Sequence, residues 1–145
     1  MASHIAIKHY ESYEELKKGF EVLKQLRTHL NEESYFNLYE DMKKEGYQLI
    51  GLEVQGVTVA VAGFSILTNF YNGKHLFVYD LVTDEMKRSN GYGEKLLNYL
   101  SEYGKRKGCR LVTLQSGVQR INAHRFYEDK MAYKKLSYSF SKTIE

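Results

Sequence analysis

The chain contains no proline and a single cysteine, Cys109. Without proline, its turns have to be built from Gly, Asn and Ser. One cysteine excludes an internal disulfide framework and fits a reducing compartment, so the cytoplasm is the expected location. No apolar run approaches the ~20 residues that cross a bilayer. The opening MASHIAIKHY lacks the basic-then-apolar plan of a signal peptide. No membrane partner is expected. Strong charge of one sign is missing as well, the formal net charge being only +3. The densest basic cluster, Lys105-Arg106-Lys107, falls where a helix should end, and cations there complement the negative end of the helix dipole. A nucleic-acid domain would carry a stronger basic stripe, so no nucleic-acid partner is expected. His75 and His124 are isolated in sequence and no Cys/His ligand spacing occurs, so no metal is expected.

What is present is the composition of an ordinary globular protein, 43% hydrophobic and 27% charged over 145 residues. That length fits one domain, 1–145, with a real core. Residues 4–9 alternate as a short strand. Leu16, Phe20, Leu23, Leu26 and Leu30 then recur at three- and four-residue steps, which predicts a helix from Tyr13 to near residue 30. A second helix is predicted from Glu32 to Lys44, stopped by Gly46. Residues 47–54, 57–70 and 75–83 read as a three-stranded antiparallel meander, with Asn72-Gly73 as a tight hairpin turn. A helix at 93–107 leads into a strand at 110–114. That strand–helix–strand order makes 75–83 and 110–114 parallel neighbours. A last helix, about 121–130, precedes an alternating strand at 136–144. The order β-α-α-β-β-β-α-β-α-β describes a mixed α/β domain with a largely antiparallel sheet, one parallel strand pair and flanking helices.

The chemistry is concentrated after the fourth strand. Arg88-Ser89-Asn90-Gly91-Tyr92-Gly93 joins that strand to a helix, so several backbone N–H groups point one way beside the positive end of a dipole. A phosphate-bearing ligand is expected there, with Lys87 and Arg88 adding charge. An NTPase loop would need Gly-x4-Gly-Lys-Ser/Thr, which is absent. A dinucleotide fold would carry its glycines after the first strand of a parallel sheet, which does not match this context.

The hexapeptide resembles the Arg/Gln-x-x-Gly-x-Gly/Ala acetyl-CoA signature of the GNAT N-acetyltransferase superfamily. Ala123-His124-Arg125-Phe126-Tyr127, at the proper distance downstream, resembles the superfamily's Ala-x-x-Phe-Tyr helix, and the element order agrees over essentially the whole chain. The stretch 114–127, LQSGVQRINAHRFY, is also similar to aminoalkylphosphonate acetyltransferases, which suggests a subgroup and not a substrate. Two positions depart from the common pattern. Glu85 stands where many members have proline, and Ala132-Tyr133 stands where many have Gly-Phe.

The resemblance implies acetyl-CoA as cosubstrate, with its pyrophosphate on the backbone of Arg88, Ser89, Asn90, Gly91, Tyr92, Gly93, Glu94 and Lys95. It implies that pantetheine pairs like an added strand with Leu81, Val82 and Thr83, in a gap where strand 75–83 splays from strand 110–114. It also implies that Tyr127 protonates the departing thiolate; as one of 13 tyrosines it could equally pack a core. Asp80 interrupts an apolar run just before Leu81 and is the candidate base, acting directly, through water, or by orienting an ammonium. A solvated carboxylate, or a partner for Arg120, is the plainer alternative. His124 is more simply a structural hydrogen-bonder, and Cys109 a buried small residue.

The expected activity is N-acetylation of a small primary amine. The alternative is a non-catalytic acyl-CoA-binding module acting as a sensor or partner domain. Tyr35, Tyr39, Phe70 and Tyr71 are candidate acceptor-pocket residues or core, and Arg27 and Arg120 are candidates to meet an anionic group on the acceptor. The last strand could pair across a homodimer or end at a free edge, so a monomer or a homodimer is expected.

Overall fold

The computed structural model describes residues 4–116 and 120–144. The chain divides into two compact units, Met1–Gln115 and Ser116–Glu145. The first contains a five-stranded sheet in the order β1-β2-β3-β4-β5. Its strands are β1 (Ile5–Tyr10), β2 (Gln48–Val54), β3 (Val57–Asn69), β4 (Gly73–Thr83) and β5 (Val112–Leu114). The first four pair antiparallel and β5 lies parallel to β4, so the meander and the crossover are as expected.

Helices α1 (Tyr13–Leu23) and α2 (Glu32–Lys44) link β1 to β2, and α3 (Tyr92–Arg106) links β4 to β5. Both α1 and α2 begin on capping boxes, Ser12 with Glu15 and Asn31 with Ser34. Each box satisfies orphan N–H groups that would otherwise need water. Gly46, at φ +96°, ends α2 where expected. The first helix is shorter than its apolar spacing suggests. From Gln25 the backbone changes to i−3 hydrogen bonds, Gln25 N–H to Val22 O and Leu26 N–H to Leu23 O. Leu26 and Leu30 still pack on the core, but from an irregular connection.

Alternation along β3 separates the two faces of the sheet. Val61 and Gly63 face α1 and α2, in a core with Tyr10, Leu16, Phe20, Leu23, Tyr35, Tyr39, Leu49 and Val82. Phe64 faces the other way, its ring edge-on to Tyr103 of α3 at 5.4 Å. Leu96, Leu97 and Leu100 of α3 are fully buried.

The hairpins exchange roles relative to expectation. Gln55 and Gly56, both at positive φ, make the tight two-residue turn. Asn69 pairs with Gly73 across a three-residue loop, 70–72, with only Gly73 at positive φ.

The second unit holds α4 (Ile121–Arg125), which continues as one wide π-type turn, Phe126–Lys130. The final strand expected at 136–144 is not formed: these residues carry no strand ladder. Leu136, Tyr138, Phe140 and Ile144 are exposed. Alternation specifies sidedness, but a strand also needs a partner edge. Among the described residues no helix is long and apolar enough to cross a membrane.

Candidate active site

Beyond β4 the chain makes one 3-10 turn, Glu85–Lys87, capped by the Asp84 side chain, which accepts from Met86 N–H. The Asn90 amide then braces the loop by donating to the carbonyls of Lys87 and Arg88, at 2.8 and 3.3 Å. Ser89 and Gly91 both lie at positive φ, 69° and 77°. Gly91 is the N-cap of α3, and no side chain caps that end. The first intrahelical bond is Lys95 N–H to Gly91 O, at 3.1 Å. The amides of Tyr92 and Gly93 therefore precede the helix's own hydrogen bonding. Such a turn suits an anion, and a Cβ at Gly91 would meet only open space. The departure at Glu85 has a use here, because its N–H donates to the Gln25 side chain at 2.9 Å. Proline has no N–H to give.

The partner strand of β4 ends early. Leu76, Phe77 and Val78 pair with Val112, Thr113 and Leu114, and there the parallel ladder stops. Leu81, Val82 and Thr83 pair with β3 on one side. Their opposite edge has no strand partner among the described residues. An extended ligand can add to an edge of this kind.

Just ahead of that edge the register slips. Gly63 faces Asp80 but Phe64 faces Val78, so Tyr79 is an extra, bulged residue. A bulge re-aims side chains, and here both Tyr79 and Asp80 reach Tyr47. The Tyr47 phenol donates to Asp80 Oδ2 at 2.8 Å, and its ring lies 5.7 Å from that of Tyr79. Arg27 Nε donates to Asp80 Oδ1 at 2.9 Å, and Arg27 Nη2 to the Tyr79 carbonyl at 2.8 Å. The Asp80 side chain is 9% exposed and that of Arg27 41%. Burial, reinforced by the Asp80 charge and hydrogen bond, holds the Tyr47 phenol well above its ordinary value, so it stays a neutral donor. Room for it comes from Gly63, since a Cβ there would overlap the Tyr47 hydroxyl. Asp80 is therefore not a solvated carboxylate; within the first unit it pairs with Arg27.

Tyr127 belongs to the second unit. It is buried in the wide turn after α4, and its carbonyl accepts from Tyr133 N–H at 2.8 Å. Burial raises its pKa, against the opposing charge and hydrogen bond of Arg120, so the phenol keeps its proton at neutral pH. The same burial pushes Tyr133 up to about 12. Ala132 sits at φ +60°, the left-handed conformation that glycine adopts without strain. Of the stretch 114–127, Gly117, Val118 and Gln119 lie outside the described residues.

The other candidates separate by burial. Tyr35 is core, its ring tilted against Phe20 and its hydroxyl donating to the Leu16 carbonyl. Tyr39 is also buried, but with His9, Lys43, Tyr47 and Gln48 it borders a cavity of about 340 Å³. Phe70 and Tyr71 are exposed. His75 is buried with Nδ1 2.8 Å from the Gly73 carbonyl, and Cys109 is half-buried. Among the described residues no cluster of His, Cys, Asp and Glu could hold a metal. Sequence reasoning passed over Tyr47. Gly63, a glycine inside an apolar strand, was the available signal of a close approach.

Comparison with known proteins follows the same lines. The profile of the Acetyltransferase (GNAT) family matches residues 10–133. An uncharacterised N-acetyltransferase of Bacillus subtilis, YhdJ, is 38% identical over 141 residues, covering 97% of this chain and 99% of its own. Among solved structures, the aminoglycoside N-acetyltransferase AAC(6')-Iy in complex with CoA superposes with a TM-score of 0.85 at 17% identity, over 99% of this chain and 97% of its own. Glucosamine-6-phosphate N-acetyltransferase from Arabidopsis thaliana gives 0.75 at 22% identity, over 98% and 99%.

Proposed function

The chain belongs to the GNAT acetyltransferase family, and from that premise we propose that it moves the acetyl group of acetyl-CoA onto the primary amine of a small-molecule acceptor. The observation that carries this reading is the uncapped turn into α3, at the end of the same strand that bears Asp80. The family resemblance gives the turn its ligand. The turn Arg88–Lys95 holds the CoA pyrophosphate through the amides that precede the helix's own hydrogen bonding, and the open edge at Leu81, Val82 and Thr83 receives the pantetheine arm. The solved complex of an aminoglycoside acetyltransferase with CoA supports an acyl-CoA cosubstrate.

In the proposed reaction the amine nitrogen attacks the thioester carbonyl carbon. The N–C bond forms, the C–S bond breaks, and CoA leaves as the thiol. Starting from an ammonium, one proton reaches the sulfur and one reaches bulk water. Asp80 accepts the first proton from the acceptor, directly or through a water molecule. A backbone amide at Leu81 or Val82 faces the developing oxyanion, the role in which fixed donors contribute most. Tyr127, kept protonated by burial, gives its proton to the departing sulfur and regains one from the second proton that leaves the nitrogen.

Two measurements test this reading. Acetyl-CoA should raise the melting temperature, since a ligand that binds only the folded state stabilises it by mass action. An amine panel, including aminoglycosides, polyamines, amino acids, aminoalkylphosphonates and peptides, should release free CoA with at least one member. Thermal stabilisation without CoA release would instead support an acyl-CoA-binding module, and absence of stabilisation would overturn the ligand assignment. Within the enzyme, Tyr127→Phe should lower turnover with little change in acetyl-CoA affinity. Asp80→Asn should move the pH–rate profile to higher pH, where the amine is neutral without help.

A further inference from the structure

We propose that Arg27 is a built-in competitor of the acceptor: it occupies Asp80 in the free protein, and the acceptor's ammonium takes its place. This rests on the reading of Asp80 as the group that handles the amine. Of the three partners at the bulge, two are fixed. Asp80 is a strand residue with a buried side chain, and Tyr47 is buried in the space left by Gly63. Arg27 is different. It comes from the irregular connection between α1 and α2, where its N–H bonds to the Leu23 carbonyl and its carbonyl accepts from Leu30 N–H. Its side chain is half in solvent, so returning the guanidinium to water costs little.

What Arg27 covers has the chemistry of an ammonium site. Its two hydrogen bonds go to the Asp80 carboxylate and to the Tyr79 carbonyl, which the bulge frees from the ladder. A primary ammonium carries the same charge and three N–H donors, enough for both acceptors. The rings of Tyr47 and Tyr79 stand beside these acceptors, and aromatic faces favour a cation. The guanidinium thus holds the place of the reacting group, and a compact primary ammonium is the acceptor headgroup that fits after exchange. Arg27 acts as a specificity determinant, screening out acceptors too weakly cationic to displace it.

The test is a split between two Michaelis constants. With the panel amine that gives the fastest CoA release, Arg27→Gln should lower the KM for the amine about fivefold, the scale of a half-exposed ion pair. The KM for acetyl-CoA should not move. Arg27→Lys, which keeps a competing cation, should lower the amine KM less. A raised amine KM in Arg27→Gln would mean that Arg27 helps to hold the acceptor, and an unmoved one that it plays no part; either overturns the proposal. Should Arg27→Gln fail to fold, the unsubstituted chain answers by NMR. Ethylammonium, titrated into the complex with free CoA, should shift the Arg27 Nε–H resonance and speed its exchange with water. A resonance that does not respond at saturating ethylammonium overturns the proposal. Asp80→Asn with full turnover would overturn the assignment of Asp80 itself, whereas impaired Asp80→Asn together with a raised or unmoved amine KM in Arg27→Gln would overturn the competitor alone.

Discussion

Two polar clusters lie on the same face of the sheet, built to one plan and ending differently. In each, a strand glycine makes room for a tyrosine, Gly51 for Tyr10 and Gly63 for Tyr47. In each, the phenol donates to a buried carboxylate beside a register shift, Tyr10 to Glu53 at 2.6 Å and Tyr47 to Asp80 at 2.8 Å. Cations complete both. Glu53 is held by Lys8 from β1 and Lys18 from α1, at 3.3 and 3.1 Å. Among the described residues Asp80 is held by one cation, Arg27, from an irregular connection. Three donors from regular elements close the first cluster. Two donors, neither of them in a regular element, leave the second able to change partners. The difference separates a structural carboxylate from one that can serve chemistry.

The sharpest way to break that comparison is to neutralise each carboxylate. Asp80→Asn should lower kcat by about 100-fold, the lower end of what a positioned base contributes. Glu53→Gln should lose roughly 2 kcal/mol of stability, as expected when a buried charged hydrogen-bond acceptor is removed. Its kcat below the melting transition should stay that of the parent. Steady-state CoA release with denaturant unfolding decides the matter, and equal loss of kcat in both proteins would erase the distinction.

The glycines test whether the shared plan is needed. A Cβ at Gly51 would lie 2.2 Å from the Tyr10 ring, and one at Gly63 would overlap the Tyr47 hydroxyl. Overpacking of this kind costs about 3 kcal/mol. Gly51→Ala and Gly63→Ala should therefore both lower the urea midpoint. Only Gly63→Ala should also lower kcat, because displaced Tyr47 no longer holds Asp80.

How much of this was legible in the sequence depends on distance along the chain. The turn Arg88–Gly93 could be read because its glycines, strand and helix are contiguous. The end of helix α2 could be read because Gly46 marks it chemically, whereas the Asn31 cap at its start emerges from the structure. The end of α1 could not, since Leu26 and Leu30 keep helical spacing while the hydrogen bonds change. Asp80 stood out as a charge in an apolar run, but its partners did not. Arg27 lies 53 residues away and Tyr47 33, and they meet Asp80 only when the sheet and its connections form. The tail, 136–144, shows the converse, a strand-like pattern without a ladder.

A smaller effect should separate the clusters by pH. Burial pushes the Glu53 carboxyl up, but hydrogen bonds from Tyr10, Lys18 and Lys8, with the Lys18 charge, outweigh it, and the net value falls below 4.5. A carboxyl with a lowered folded value adds stability above its unfolded value and loses it as pH falls through the folded one. Between about pH 5 and pH 3 the melting temperature of the unsubstituted chain should therefore fall more steeply than that of Glu53→Gln. Parallel curves would remove Glu53 from the account.

The smallest change removes one hydroxyl from each cluster. Tyr10→Phe and Tyr47→Phe keep the rings that fill the spaces at Gly51 and Gly63, so packing is preserved and only a donor is lost. Each should cost about 1.5 kcal/mol, the scale of a hydrogen bond to a charged group. In the first cluster Glu53 keeps both lysines, and Thr58, 2.6 Å from the lost hydroxyl, must find another partner. In the second, Asp80 is left with Arg27 alone, so the carboxylate leans further toward the guanidinium. Tyr47→Phe should then raise the amine KM about threefold, since Arg27 becomes harder to displace, while Tyr10→Phe should not move it. If both substitutions changed stability alone, the Tyr47 hydroxyl would be as structural as that of Tyr10, and the readiness of the second cluster to exchange partners would rest on Arg27 by itself.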